Sequence, residues 1–114
     1  MRAQWKSSTT FSGRLRSETV LIVMQEEPIR ESLVRFGIPE HMHDCVIRYV
    51  VHRIEPGQFL VALMSNDLKE AFARADEENL EAMHRWVKWF YNAAPGNCWG
   101  SPQRVNEWLA QRSR

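Results

Sequence analysis

Apolar residues recur at helical spacing from residue 26 onward, and residues that start or stop helices divide them into separate rods. Glu26, Glu27 and Pro28, then Ile29, Leu33, Val34 and Phe36, then Gly37, predict a short helix over 26–36. Acids and proline suit its first turn, and glycine suits its end. Ile38 and Pro39 restart the chain. Over 40–54, Met42, Val46, Tyr49 and Val50 share one face with Ile47 and Ile54 beside it, while Val51 lies off the stripe. A second apolar face suits a central helix, or one that meets another chain. Glu55, Pro56 and Gly57 predict a tight turn into a partner helix over 58–74 that carries Phe59, Leu60, Leu63, Met64, Leu68, Ala71 and Phe72. Asp76 then reads as the N-cap of a long helix over 77–94, with Glu77, Glu78 and Glu81 near its positive end. Its expected core stripe is Leu80, Met83, Val87, Phe90 and Ala94, with Trp86 and Tyr91 at the edges and Trp89 outside it. Ser101 followed by Pro102 opens a terminal helix through Val105, Trp108 and Leu109.

The expected fold is therefore all-α, a small single-domain bundle of four to five helices over 25–114 behind a loosely structured lead-in, 1–24. Residues 1–18 are rich in Ser, Thr and Arg without apolar period, and Thr19 to Val23 is β-branched enough for a short strand that has no partner strand. Met24, where helical patterning begins, reads as an alternative start that would make the first 23 residues dispensable. At 114 residues, 44% apolar and 25% charged, the chain has the size and composition of one globular domain with one core.

The net charge of +1 hides an asymmetry that bears on partners. Residues 38–95 carry six Lys/Arg against nine acids, while the ends are basic. Phosphate-backbone binding draws on clustered cations, so the body is a poor duplex-DNA reader. The helix 58–74, second of its hairpin, offers only Lys69 and Arg74 beside Asp67 and Glu70 for a major groove. Cys45 and Cys98 are too few for a disulfide framework and neither lies in a CxxC pair, which points to a reducing, cytoplasmic setting. The longest apolar run, Phe59 to Met64, is too short for a membrane span or a signal-peptide core.

No GxSxG, HExxH, P-loop or GxGxxG is present, so no catalytic residue, cofactor or metal is expected, and the chain reads as a non-enzyme. His41 and His43 lie two apart, about 200° around a helix, and with His52 and His84 they read as surface histidines. Asn66, Asp67, Arg74, Asp76 and Asn79 form a polar patch that interrupts apolar helices. Such residues normally find a cap or an inter-helix partner, with an Arg74–Asp76 pair fixing the turn, and the alternative is a ligand-facing patch.

Residues 85–109 hold four of the five tryptophans around the loop PGNCWGSP. Trp86, Tyr91, Trp99 and Trp108 suit packing of the terminal helix onto the helix 77–94. Trp89 falls on the side of Ala82 and Ala93, where an exposed indole would anchor a protein interface, with Arg85 and Lys88 beside it. Alternatively Trp86, Trp89 and Trp99 stack a nucleotide, with Arg85 and Lys88 nearby and Gly100, Ser101 and the following amides cradling its phosphate. The two-faced helix 40–54 leans toward a homo-oligomer.

Several short strings make a wider pattern: Ile38-Pro39, Arg48-Tyr49-Val50, Pro56-Gly57 with Phe59-Leu60, and Asn66-Asp67-Leu68. It continues with Arg74-Ala75-Asp76 and Asn79, then Tyr91-Asn92 and Pro95, then Cys98-Trp99-Gly100-Ser101-Pro102, and ends at Trp108-Leu109. This resembles a group of small phage and prophage proteins of unassigned function, over residues 38–110. The resemblance implies a phage-derived accessory protein that acts by binding. The expectation is a stoichiometric inhibitor of a bacterial defence system, of anti-CRISPR type, acting on a protein partner. Sequestration of a signalling nucleotide, and a small DNA-binding regulator using the basic termini, are the alternatives.

Overall fold

A computed structural model describes residues 24–111, which are all-helical. The expected strand at Thr19–Val23 and most of the lead-in 1–24 lie outside the described residues. Helix α1 covers 24–35, and a single 3-10 turn, Glu40–Met42, leads into α2, His43–His52. Five more helices follow: α3 Gln58–Met64, α4 Leu68–Arg74, α5 Glu77–Glu81, α6 Met83–Asn92 and α7 Pro102–Ala110.

Each helix ends for a local reason. Gly37 adopts φ +75 at the end of α1, and Ile38 N–H reaches back to Leu33 O at 3.0 Å while Gly37 N–H reaches Val34 O at 3.0 Å. This is a Schellman closure, which favours glycine. A Cβ on Gly37 would also lie 2.9 Å from Cδ of Arg85. Helix α2 ends on Arg53 in the left-handed region, φ 61 and ψ 38. That conformation costs a non-glycine residue about 1–2 kcal/mol. Its side chain offsets the cost by placing the guanidinium 3.6 Å from the ring centroid of Trp108 and donating to Val50 O at 3.1 Å.

The two longest expected helices are each broken, which is why the rods outnumber the four or five expected. Between α3 and α4, Asn66 takes φ 66 and Asp67 accepts the N–H of Glu70 at 3.3 Å as the N-cap of α4. Asn tolerates the left-handed region and Asp caps well, so the pair stops one helix and starts another. Between α5 and α6, Ala82 is fully buried with φ −94 and ψ 8, while Trp86 N–H still bonds Ala82 O at 2.9 Å. The chain leaves helical geometry at this one residue and resumes it in α6.

The core runs from Leu33 on α1 through Val46, Tyr49 and Val50 on α2 and Leu60 and Met64 on α3 to Trp86, Trp89 and Phe90 on α6. Its polar atoms are satisfied across the sequence. Tyr49 donates to Cys98 O at 2.6 Å, and the Trp108 indole donates to Tyr49 O at 3.0 Å. The loop before α7 is pinned by Gly100 N–H on Met64 O at 2.7 Å. The CWGSP segment is thus packed down on the ends of α2 and α3, as its prolines and indole suggested.

Candidate functional site

The helix α6 faces inward through a different stripe from the one its apolar pattern suggested. Trp86, Trp89 and Phe90 are buried, preceded by Asn79 and Ala82, whereas Leu80, Val87 and Tyr91 face outward. Indoles decide this rotation, because a buried Trp removes more apolar area from water than a Val or Leu does and both indole N–H groups find acceptors inside. Trp86 donates to Asn79 Oδ1 at 3.1 Å, and Trp89 donates to Ser32 Oγ at 2.8 Å. The expectation of an exposed Trp89 is corrected: it has no accessible surface and meets Trp86 and Phe90 edge-on at 6.4 and 5.3 Å.

The remaining expected site residues scatter. Arg85 donates Nε to Gly37 O at 3.0 Å and braces the α1 end. Lys88 is exposed on α6, and its backbone carbonyl accepts from Asn92 at 2.8 Å. Trp99 is half-buried, tilted against Phe90 at 5.0 Å and edge-on to Tyr91 at 5.2 Å, and its indole N–H is buried without an acceptor. Ser101 accepts the N–H of Arg104 at 3.1 Å, so it caps α7 itself, and Arg104 folds back onto the carbonyls of Gly96 and Trp99. The nucleotide alternative therefore loses two of its three stacking indoles, Trp86 and Trp89, and part of its phosphate cradle.

The polar patch is wired differently from the expected pair. Arg74 binds Glu70 at 3.1 Å one turn back, not Asp76. Asp76 caps α5 by accepting Asn79 N–H at 2.8 Å, and His41 joins it at 2.9 Å while also reaching Glu78 at 3.0 Å. The Asn79 amide hydrogen bond, with His41 adding to it, holds the Asp76 carboxyl below the usual carboxylate range. The histidines are not uniformly superficial. His43 is buried with its ring nitrogen 2.8 Å from Ile38 O, and His52 is half-buried against Glu26 at 2.6 Å. Burial pushes the Cys98 thiol up to about 12 and raises Tyr49 and Cys45 as well, so these groups stay neutral at ordinary pH. Among the described residues no three of His, Cys, Asp and Glu converge as a metal site, and no helix is long and apolar enough to cross a membrane.

What the structure does bring together is a cleft between α4 and α6 of about 440 Å³, a size typical of ligand and anchor pockets. Its walls are Leu68, Ala71 and Phe72 on one side and Met83, Val87 and Tyr91 on the other, with Phe90 and Trp99 also lining it. Asn66, Asp67 and His84 supply polar groups. Exposure is high: Leu68 69%, Tyr91 75%, Val87 48%, Phe72 46%, and Leu80 nearby 45%. Five of the seven exposed large hydrophobics among the described residues lie on α4, α5 and α6. Sequence reasoning missed this surface because it placed Leu68, Phe72, Leu80 and Val87 at the apolar positions of core-facing helices and Tyr91 at the edge of one stripe. The available signal was that the segment 77–94 carries two apolar stripes, only one of which a small core can absorb.

The chain matches no family model, no curated protein and no solved structure at a significant level.

Proposed function

We propose that the chain is a non-catalytic accessory binding protein of phage type. It inhibits a component of a bacterial defence system stoichiometrically by seating an apolar part of that protein in the α4–α6 cleft. The observation that carries this reading is the exposed apolar lining of the cleft beside a core already filled by indoles. Contiguous exposed apolar area of this kind marks interaction sites, since water-facing Leu, Phe, Val and Tyr in one patch gain free energy only when covered. Further support comes from position: Asn66, Asp67, Leu68, Tyr91 and Trp99, all in the strings on which the resemblance to small phage proteins rests, line this one cleft. A partner side chain entering it meets Phe72, Tyr91 and Trp99, the residue types that dominate interface energetics.

The test is plating of a sensitive phage on strains carrying single defence systems, with the chain co-expressed. Wild type restores plating against one system, and a folded Tyr91→Ala variant does not. Full inhibition by Tyr91→Ala, or none by wild type against any system, contradicts the reading.

A further inference from the structure

The α5–α6 run carries two stripes of identical spacing on different sides. Ala82, Trp86, Trp89 and Ala93, at intervals of four, three and four, form the inner one, with Ala82, Trp86 and Trp89 buried. Leu80, His84, Val87 and Tyr91 repeat the same intervals and are all exposed. In a heptad seam that spacing keeps one face toward a neighbouring helix; here α6 carries His84, Val87 and Tyr91, and Leu80 on α5 extends the line across the break at Ala82. From this we infer that the outer seam, flanked by Leu68 and Phe72 of α4, is a self-association surface. Its occupant is a second copy of this chain, packed antiparallel about a two-fold axis. The inference rests on reading the cleft as a protein-binding surface: in the free protein the second copy covers the apolar lining until the defence component displaces it.

Register and charge choose this occupant. In antiparallel pairing Leu80 lies opposite the partner's Tyr91 and His84 opposite the partner's Val87, so every seam position is covered. His84 is the single polar member, the kind of residue that fixes register in such seams. Glu81 and Lys88 are both exposed and each directly follows a seam residue, seven positions apart. Antiparallel helices bring these flanking positions face to face, so Glu81 meets the partner's Lys88 and, by symmetry, Lys88 meets the partner's Glu81. Parallel packing would set Lys88 against the partner's Met83 and Glu81 against the partner's Asp76, leaving one charge without a partner and two acids facing each other, which is costly. The area that the second copy covers is the exposed apolar side chains of Leu68, Phe72, Leu80, Val87 and Tyr91.

Sedimentation equilibrium of the full chain across micromolar concentrations tests this. Wild type forms a concentration-dependent dimer, and Val87→Glu is monomeric with an unchanged helical circular-dichroism signal. Should Val87→Glu lose its fold, Leu68→Ser, at a more exposed site, gives the same readout. Glu81→Lys alone and Lys88→Glu alone each weaken the dimer roughly tenfold or more, as like charges facing across an interface do. The double variant, and an equimolar mixture of the two single variants, recover it. A monomeric wild type, a dimer indifferent to both Val87→Glu and Leu68→Ser, or failure of the charge exchange to recover association overturns the inference. A monomer that still inhibits a defence system through Tyr91 overturns the second copy alone and leaves the binding function standing.

Discussion

The indole N–H of Trp89 donates to the hydroxyl of Ser32 at 2.8 Å, joining α6 to α1 across 57 residues, and Ser32 in turn donates to Ile29 O at 2.6 Å. This short relay turns Trp89 inward and leaves Val87 and Tyr91 to solvent. Trp89→Phe keeps most of the ring and removes the bond, so it lowers unfolding free energy by about 1 kcal/mol, while Trp89→Ala costs roughly 3–5 kcal/mol. Urea unfolding measures both. The folded Phe variant retains full partner binding, because the indole is structural; a stable Phe variant that had lost binding would contradict that role.

Asn66 sits in the left-handed region at φ 66 between α3 and α4 and lines the cleft. Asn66→Ala should destabilise by about 1–2 kcal/mol, since a Cβ without a compensating polar group is disfavoured there. Asn66→Gly should be neutral within a few tenths of a kcal/mol. Chemical denaturation of the two variants side by side checks the ordering, and equal losses would contradict it.

The helical class, the turn at Pro56-Gly57, the caps at Asp76 and Ser101 and the packed CWGSP loop were legible because each rests on local chemistry. The break at Asn66-Asp67 was visible as residues that disfavour helix interiors, yet it was read as polar residues satisfied within one rod. Rotation of α6 was not legible. Its two stripes are equally spaced, and the choice between them depends on acceptors supplied by Ser32 and Asn79, one of them on a distant element. The same ambiguity hid the cleft, since Leu80, Val87 and Tyr91 become surface only once the indoles have filled the core.

Asp76 couples the 3-10 turn to α5 through His41 and titrates below the ordinary range. A depressed carboxyl contributes stability that is fully present above its unfolded pKa, about 3.9, and is lost as pH falls through the lower folded value. Asp76→Asn still caps the helix but does not titrate there. The wild-type advantage over Asp76→Asn should therefore hold at neutral pH and shrink as pH drops below about 4. Thermal midpoints of both proteins across that window check the sign, and an advantage that grows on acidification would contradict it.

Alkaline behaviour follows from the opposite sign. Cys98, raised by burial to about 12, stays protonated in the fold while the unfolded chain releases its proton near pH 8.5. The native state then holds more protons, so stability falls as pH rises from about 8.5 toward 12, and Tyr49, raised as well, extends the loss above about pH 10. Cys98→Ala should flatten the first part of that decline. Alkylation read by mass spectrometry should modify Cys98 only when the chain unfolds, and rapid native labelling of Cys98 would contradict its burial.

The most direct measurement places a photo-crosslinking residue at position 91 or 72, and as a control at the exposed Glu107 position of α7, in cells carrying the susceptible defence system. If the α4–α6 cleft is the working surface, positions 91 and 72 yield discrete protein adducts, of dimer mass for a second copy or of another mass for a host target, and position 107 yields none. No adduct from either cleft position, or equal adducts from all three, would contradict it.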